Sequence, residues 1–328
     1  MKKTRSYTEI EGMRGILAVI IVLYHFGLES LVSQVSSGLI SESYWGNAVD
    51  YFFIISGFVL GVSQSKNPKT WFQFTKSRLF RLLPSYIFLI IVFSPWYIDH
   101  WINNIPDILL SIFGLAYPFG YTQWNGASWS MSVELYIPII VAPLLIPILQ
   151  LKNIKILVFL SSLIATSFMA ISDPSTELPL GFVRGFFGIL LGYTLYGIVK
   201  EYPNLAILPF GQHSTLIFFS SYLVLTLLSD IFNPVGFIIP TLTVLSILSS
   251  EGSKSILSSK LLIWLGSLTY TIYLIHMPLQ KSVVDVLGND MVDGNIFIKA
   301  VVGISCIIFA WLLTKFIEKP FNRFGHKR

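Results

Sequence analysis

The chain has 328 residues, of which 54% are hydrophobic and only 12% charged, with a mean hydropathy of +0.71. That balance excludes an ordinary soluble domain, and apolar runs of membrane-spanning length recur to the C-terminus, so an all-α, polytopic helical membrane protein is expected. The net charge of +5 does not point to nucleic acid, because the basic residues follow a membrane topology, and the single cysteine, Cys306, excludes an internal disulfide or a cysteine-based metal site.

The start, Met1-Lys2-Lys3 and then an apolar run, imitates a signal peptide. No small-x-small site follows the run, and Glu9, Glu11 and Arg14 precede it, so a retained first span is expected. The hydropathy pattern reads as about ten transmembrane helices, at 14–31, 48–64, 84–99, 131–149, 155–172, 180–199, 213–230, 234–250, 262–280 and 296–317. In the first, Arg14 and His25 are separated by about three helical turns, so they share a face and stand about 16 Å apart along the axis. A span that starts at Arg14 puts His25 near the middle of the ~30 Å hydrocarbon core. An ionisable group there is costly and usually functional; the ordinary alternative is a histidine bonded to a neighbouring helix.

The second span reads Asp50-Tyr-Phe-Phe-Ile-Ile-Ser56-Gly57-Phe58. Gly57 admits a second backbone and Ser56 suits a hydrogen bond across helices, while Asp50 stands at the outer edge, open to solvation. Arg78 and Arg81 follow in the next loop, three apart on one helical face. Paired guanidiniums suit phosphate, with anchoring to lipid headgroups as the ordinary alternative. The apolar segment 103–121 is read as a re-entrant or interfacial element on the outer side, because a crossing there would carry Lys152 and Lys155 outside.

The fourth span opens Ser128-Trp129-Ser130-Met-Ser132-Val-Glu134. Glu134 either answers the helix dipole or pairs with a buried His or Arg; Ser130 shares its face, and Trp129 suits the interface. In the sixth span, Arg184 stands on the outer side against the charge trend and needs a carboxylate, for which Glu134 and Asp50 are candidates. In the ninth, Tyr270, Tyr273 and His276 share a broad face, as a site or as an interfacial aromatic belt. Glu318-Lys319-Pro320 reads as a charged stop at the cytoplasmic edge.

With both termini cytoplasmic, all of the 22 Lys and Arg except Arg184, Lys281 and Lys299 fall on the inner side. The loop 31–47 has no Lys or Arg, and the loops 173–179 and 285–294 carry acids, which fits the outer face. No repeat of solenoid period is seen, and the inverted repeat of many transporters is not evident.

In order along the chain, these segments resemble the acyltransferase 3 family of bacterial membrane acyltransferases. The resemblance is carried by Arg-x10-His (Arg14, His25), Phe-Phe-x-x-Ser-Gly-Phe (Phe52 to Phe58), Arg-x-x-Arg (Arg78, Arg81), Trp-Ser-x-Ser-Val-Glu (Trp129 to Glu134), Leu-Gly-x-x-x-Tyr-x-x-Tyr-Leu-x-His (Leu265 to His276) and Glu-x-Pro (Glu318, Pro320). Each motif is weak alone; six in one order are strong. Two departures stand out. Many members carry a second acid where this chain has Leu135, and some end in a soluble hydrolase-like domain. A single transmembrane acyltransferase domain over 1–328, with no soluble domain appended, is therefore expected.

The resemblance implies transfer of an acyl group, most often acetyl, from cytoplasmic acyl-CoA (acetyl-CoA) to a hydroxyl of a cell-envelope glycan or its lipid-linked precursor. The location implied is the bacterial cytoplasmic membrane. The partners implied are the lipid bilayer, the donor, the glycan acceptor and the glycan-synthesis machinery, with no permanently bound cofactor and no metal. Arg14, Arg78 and Arg81, with Ser56, are then the donor-binding residues. His25 is the general base, Glu134 or another acid orients the imidazole, and His276 is the further catalytic candidate. Asp50, Arg184, Tyr270 and Tyr273 fall to the substrate side. Tyr270, Tyr273 and Ser56 are open choices for the oxyanion donor, and a covalent acyl-histidine stays open beside direct transfer. The rival reading is a transporter or flippase for a glycan precursor; a third is a structural subunit of a glycan synthase, in which His25 has no special role.

Overall fold

The computed structural model describes residues 7–27, 48–94, 105–121, 123–124, 126–148, 151–172, 180–202, 213–228, 235–248, 255–293 and 295–326. Among these residues there is no strand. The helices are α1 (Thr8–His25), α2 (Ala48–Lys66), α3 (Trp71–Phe93), α4 (Ile105–Ile112), α5 (Ser128–Ile148), α6 (Lys152–Ser172) and α7 (Leu180–Glu201). They continue with α8 (Ser214–Leu228), α9 (Val235–Leu248), α10 (Lys260–Ser267), α11 (Thr269–Leu287), α12 (Asn289–Asp293), α13 (Ile296–Leu313) and α14 (Lys319–His326). The expected loops 31–47 and 173–179, and Lys2, Lys3 and Arg5, lie outside the described residues.

Within the described residues each expected span overlaps a helix, and among those residues three helices are long and apolar enough to cross a membrane: Ala48–Lys66, Gly181–Glu201 and Ile296–Gly325. The bent pair Lys260–Ser267 and Thr269–Leu287 passes as a fourth. The helix at 105–112 has 8 residues, about 12 Å of rise, well short of the ~30 Å core. Turns follow it, with Gly114 at φ 69° and Gly120 at φ 73°.

Four boundaries differ from expectation, each for a local reason. α1 begins at Thr8, before Arg14, with Glu9 and Glu11 in its first turn, where the helix dipole favours acids. It ends at His25, and the chain leaves through Gly27 at φ 71°, a left-handed stop. His25 therefore stands in the last turn of its helix, not midway along it. α3 begins at Trp71 rather than near Pro84, because Thr70 and Gln73 form a reciprocal capping box; Arg78 and Arg81 are helical, not in a loop. The ninth span is broken at Leu268 and bent by 65°. The hydroxyls of Thr269 and Thr271 bond the carbonyls of Gly266 and Leu268 (2.8 and 2.9 Å) at the break. At the C-terminus, helix continues from α13 through a π-turn, Thr314–Glu318, into α14. Glu318, expected in a charged stop at the cytoplasmic edge, is 9% exposed in that turn.

α1 stands between two cores. Ala18, Val22 and Phe26 join α3, α5, α11 and α13 through residues such as Leu82, Leu135, Ile272 and Cys306. Ile10, Met13, Leu17 and Ile21 join α2, α7, α8 and α9 through Ile54, Leu191, Phe218 and Val244. Arg14 and His25, offset by only about 20° around the helix, lie on the seam between these two faces. Glycines bring backbones into contact. A Cβ at Gly57 would meet the Ile189 carbonyl oxygen at 1.9 Å, and one at Gly192 would meet that of Ile54 at 1.8 Å, locking α2 to α7. A Cβ at Gly266 would meet the Glu11 oxygen at 2.0 Å, which fixes α10 against α1.

Candidate active site

Arg14, Ser56, Arg78, Arg81, Glu134, Tyr270 and Tyr273 all line one cavity, bounded by α1, α2, α3, α5 and α11. Its cations do different work. Arg14 is held by Glu11 of its own helix at 3.2 Å. Arg78 points across to α5. Its Nε donates to the Glu134 backbone carbonyl at 2.9 Å, a second donor on the same guanidinium reaches that oxygen, and its Nη2 lies 3.9 Å from the Glu134 carboxylate. Arg81 makes no hydrogen bond or ion pair among the described residues and feels Glu318, which also faces Arg14. Lys69 lines the same cavity, its ammonium donating to Ser77 Oγ at 3.1 Å. Burial, then the like charge of Arg81, lowers the Lys69 pKa from its ordinary 10.5. The loop carrying Lys69 is pinned by its backbone N–H to Gln64 Oε1 at 3.2 Å.

Neither histidine lines this cavity; the two lie one side chain beyond it, past Tyr273. His276 Nε2 is 3.2 Å from His25 Nδ1, with ring centroids 4.7 Å apart. His276 Nδ1 is 2.6 Å from the Tyr273 carbonyl, and His25 Nδ1 is 3.0 Å from the Ile21 carbonyl. A carbonyl only accepts, so each Nδ1 carries the proton. His276 Nε2 is then an acceptor for the His25 Nδ1–H, which it shares with the Ile21 carbonyl, and His25 Nε2 is left with a lone pair. Gln280 fixes the backbone here, donating to the His25 carbonyl at 2.7 Å. His276 is fully buried and His25 partly exposed.

The described contacts place the Glu134 carboxylate on Ser56, at 3.3 Å, and beside Arg78, and not on an imidazole; the His25 ring is instead held by His276 and Ile21. The bonding also separates the three candidate oxyanion donors. Tyr270 commits its proton to the Leu82 carbonyl at 2.6 Å, and Ser56 commits its own to Glu134. Tyr273 accepts from Ser130 at 2.8 Å and keeps its phenolic proton.

Arg184 finds its carboxylate in Asp50, not Glu134. Two bonds of 2.7 Å join them, and Asp50 is 1% exposed rather than solvated. Neither lines the cavity. Trp129, expected at the interface, is buried against Phe53 and Tyr117, with ring centroids 5.8 Å away from each. No three of His, Cys, Asp and Glu are grouped to hold a metal among the described residues. Sequence reasoning missed Lys69, Gln280 and the buried Glu318. Only Glu318 carried a signal, since a charged stop followed by Pro320 still lies within one helical turn of Thr314.

The profile of the acyltransferase 3 family, described as an acyltransferase domain, matches residues 7–315. Proteins of Staphylococcus aureus strains COL and N315, named provisionally as O-acetyltransferases, are 25% identical over 99% of this chain. A Komagataeibacter xylinus protein, named provisionally as a membrane-bound transacylase, is 27% identical over 44% of this chain and 39% of its own. The chain spans 59% of the length of the Staphylococcus relatives. No solved structure matches it. With the profile covering nearly the whole chain, and its motif residues gathered around one cavity and one histidine pair, the chain belongs to the acyltransferase 3 family.

Proposed function

We propose that this chain is a membrane O-acyltransferase that moves an acetyl group from acetyl-CoA to a hydroxyl of a cell-envelope or exported glycan. Residues 1–328 act as one transmembrane domain of the bacterial cytoplasmic membrane, with about ten spans and both termini inside. The observation that carries the reading is the placement of the His25–His276 pair next to a cavity that gathers Arg14, Lys69 and Arg81 in its wall. A cation-rich wall suits the phosphates of a nucleotide thioester. An imidazole with a free lone pair suits the removal of a sugar hydroxyl proton.

In this reading the donor enters from the cytoplasmic side, its phosphates on Arg14, Lys69 and Arg81. Its thin arm runs past Ser56 and Glu134, with the thioester presented at Tyr273, the last cavity residue before the histidines. His25 Nε2 takes the acceptor proton, and the free phenolic proton of Tyr273 meets the developing oxyanion. Arg78 and Ser56 act on Glu134, setting one cavity wall. Asp50 and Arg184 satisfy one another's charge, so they frame α2 against α7 instead of gripping the acceptor. The names of the relatives support acyl transfer. Deleting the gene tests the reading: surface glycan of normal amount without O-acetyl groups is expected, whereas loss of the glycan itself would identify an exporter.

A further inference from the structure

The contact between the two histidines has a direction. His276 offers a lone pair at Nε2 because its Nδ1–H is committed to the Tyr273 carbonyl. His25 reaches that acceptor with its Nδ1–H, shared with the Ile21 carbonyl, and keeps Nε2 for the substrate. We propose that the pair is a two-proton relay, in which His25 takes the acceptor's hydroxyl proton at Nε2 while passing its Nδ1 proton to Nε2 of His276. This rests on the transferase reading above and adds a role for the buried ring.

The balance closes. The acceptor O–H bond breaks as its oxygen bonds the thioester carbonyl carbon, and its proton goes to His25 Nε2. The Nδ1 proton of His25 moves to His276, which becomes the imidazolium and donates from Nδ1 to the Tyr273 carbonyl. When the C–S bond breaks, the Nδ1 proton returns to His25, and the Nε2 proton goes to the departing sulfur. The hydroxyl proton thus ends on the thiol.

Three observations support the relay over simple orientation. First, no carboxylate among the described residues acts on either ring, so the charge that a serine-protease-type aspartate would balance has only the second imidazole to share it. Second, the burial is graded: the ring with the free lone pair is partly exposed and open to a hydroxyl, whereas the ring behind it is fully buried, where a lasting charge is costly, so the proton it takes is handed back when the C–S bond breaks. Third, both ends are fixed, by Ile21 and Gln280 on one side and Tyr273 on the other. Among the described residues, the titratable rings that face the pair are Tyr24, 4.9 Å from His25, and Tyr273, 5.5 Å from His276. Lys299 of α13 stands at the same helix end, its ammonium 3.2 Å from a Cβ built on Gly27. His276 is a positioning residue with a proton to hold; it does not touch substrate.

The test uses the full-length protein in membranes, radiolabelled acetyl-CoA as donor, and envelope membranes from a strain deleted for the gene as acceptor. Rates are measured in mixtures of H2O and D2O. Two protons in flight give a bowed dependence on deuterium fraction, which is expected for the wild type. His276→Gln keeps an acceptor oxygen but takes no proton. It should incorporate label about 10²-fold more slowly, with a straight deuterium dependence and the KM for acetyl-CoA unchanged. A straight dependence in the wild type overturns the relay without any variant, as does a His276→Gln enzyme of normal rate. A wild type that incorporates no label removes the transferase reading and the relay with it.

Discussion

Arg78 and Glu134 are joined through the wrong atoms for a free phosphate grip: the guanidinium bonds the Glu134 backbone carbonyl and only approaches its carboxylate, at 3.9 Å. The helical donor to that carbonyl would be residue 138, which is Pro138 and has no N–H, so Arg78 satisfies a carbonyl that the helix leaves open and ties two helices together. This divides the Arg78–Arg81 motif into a residue that builds the cavity and one that faces its contents.

The division predicts different losses. Arg81→Ala should weaken acetyl-CoA binding about tenfold with no change in melting temperature, because it removes a charge-assisted phosphate contact and no internal bond. Arg78→Ala should lower stability by about 1–3 kcal/mol, since it removes buried charged hydrogen bonds. Donor titration and thermal unfolding in detergent on both variants check this. Two variants with the same profile contradict it.

Tyr270 and Tyr273 should separate in the same way. Tyr270→Phe loses the bond to Leu82, which costs about 1 kcal/mol of stability, and leaves the rate near normal. Tyr273→Phe removes the phenolic proton that Tyr273 keeps uncommitted beside His276 and should slow transfer about 10²–10³-fold. Measuring acetyl transfer and melting for both distinguishes them; a Tyr273→Phe enzyme of full rate would take Tyr273 out of the chemistry.

Lys69 makes donor binding sensitive to pH. Its amine titrates below the ordinary 10.5, because burial and Arg81 oppose its charge. The protonated form binds phosphate, so affinity for acetyl-CoA is full at low pH and falls as pH rises through the lowered pKa. Lys69→Ala should bind more weakly throughout and lose that alkaline decline. Affinity measured from neutral pH upward settles it, and an unchanged decline in the variant would place the titration elsewhere.

The topology is testable outside the described residues. A reporter fused after Gln150 should give a cytoplasmic signal, because a crossing at 105–121 is then absent and nearly all Lys and Arg face inward. An extracellular signal contradicts the arrangement of both termini inside.

Much of this site was legible in the chain because its residues fall at helical spacing. Arg14 and His25, Ser130 and Glu134, and Tyr273 and His276 were each read as sharing a face, and the cavity gathers Arg14, Ser130, Glu134 and Tyr273. Gly57 was read as a close approach and meets the Ile189 carbonyl. What escaped depended on contacts between distant segments. Nothing local says that Asp50 rather than Glu134 pairs with Arg184, or that His276 rather than an acid holds His25. The start of α3 was missed because hydropathy treats Arg78 and Arg81 as loop, whereas the Thr70–Gln73 capping box starts the helix well before its apolar half. The break at Leu268 was hidden because threonine hydroxyls satisfy the backbone there without any Pro or Gly at the bend itself.

The central claim is that His25 is the base of an O-acyl transfer. It is met most directly by mass spectrometry of envelope glycan from a deletion strain carrying either the wild-type gene or His25→Ala at matched membrane levels. General-base loss costs about 10²–10⁴-fold in rate, so the account predicts O-acetyl groups restored by the wild type and undetectable with His25→Ala, with acetyl-CoA binding retained in the purified variant. Near-normal acetylation with His25→Ala would contradict it.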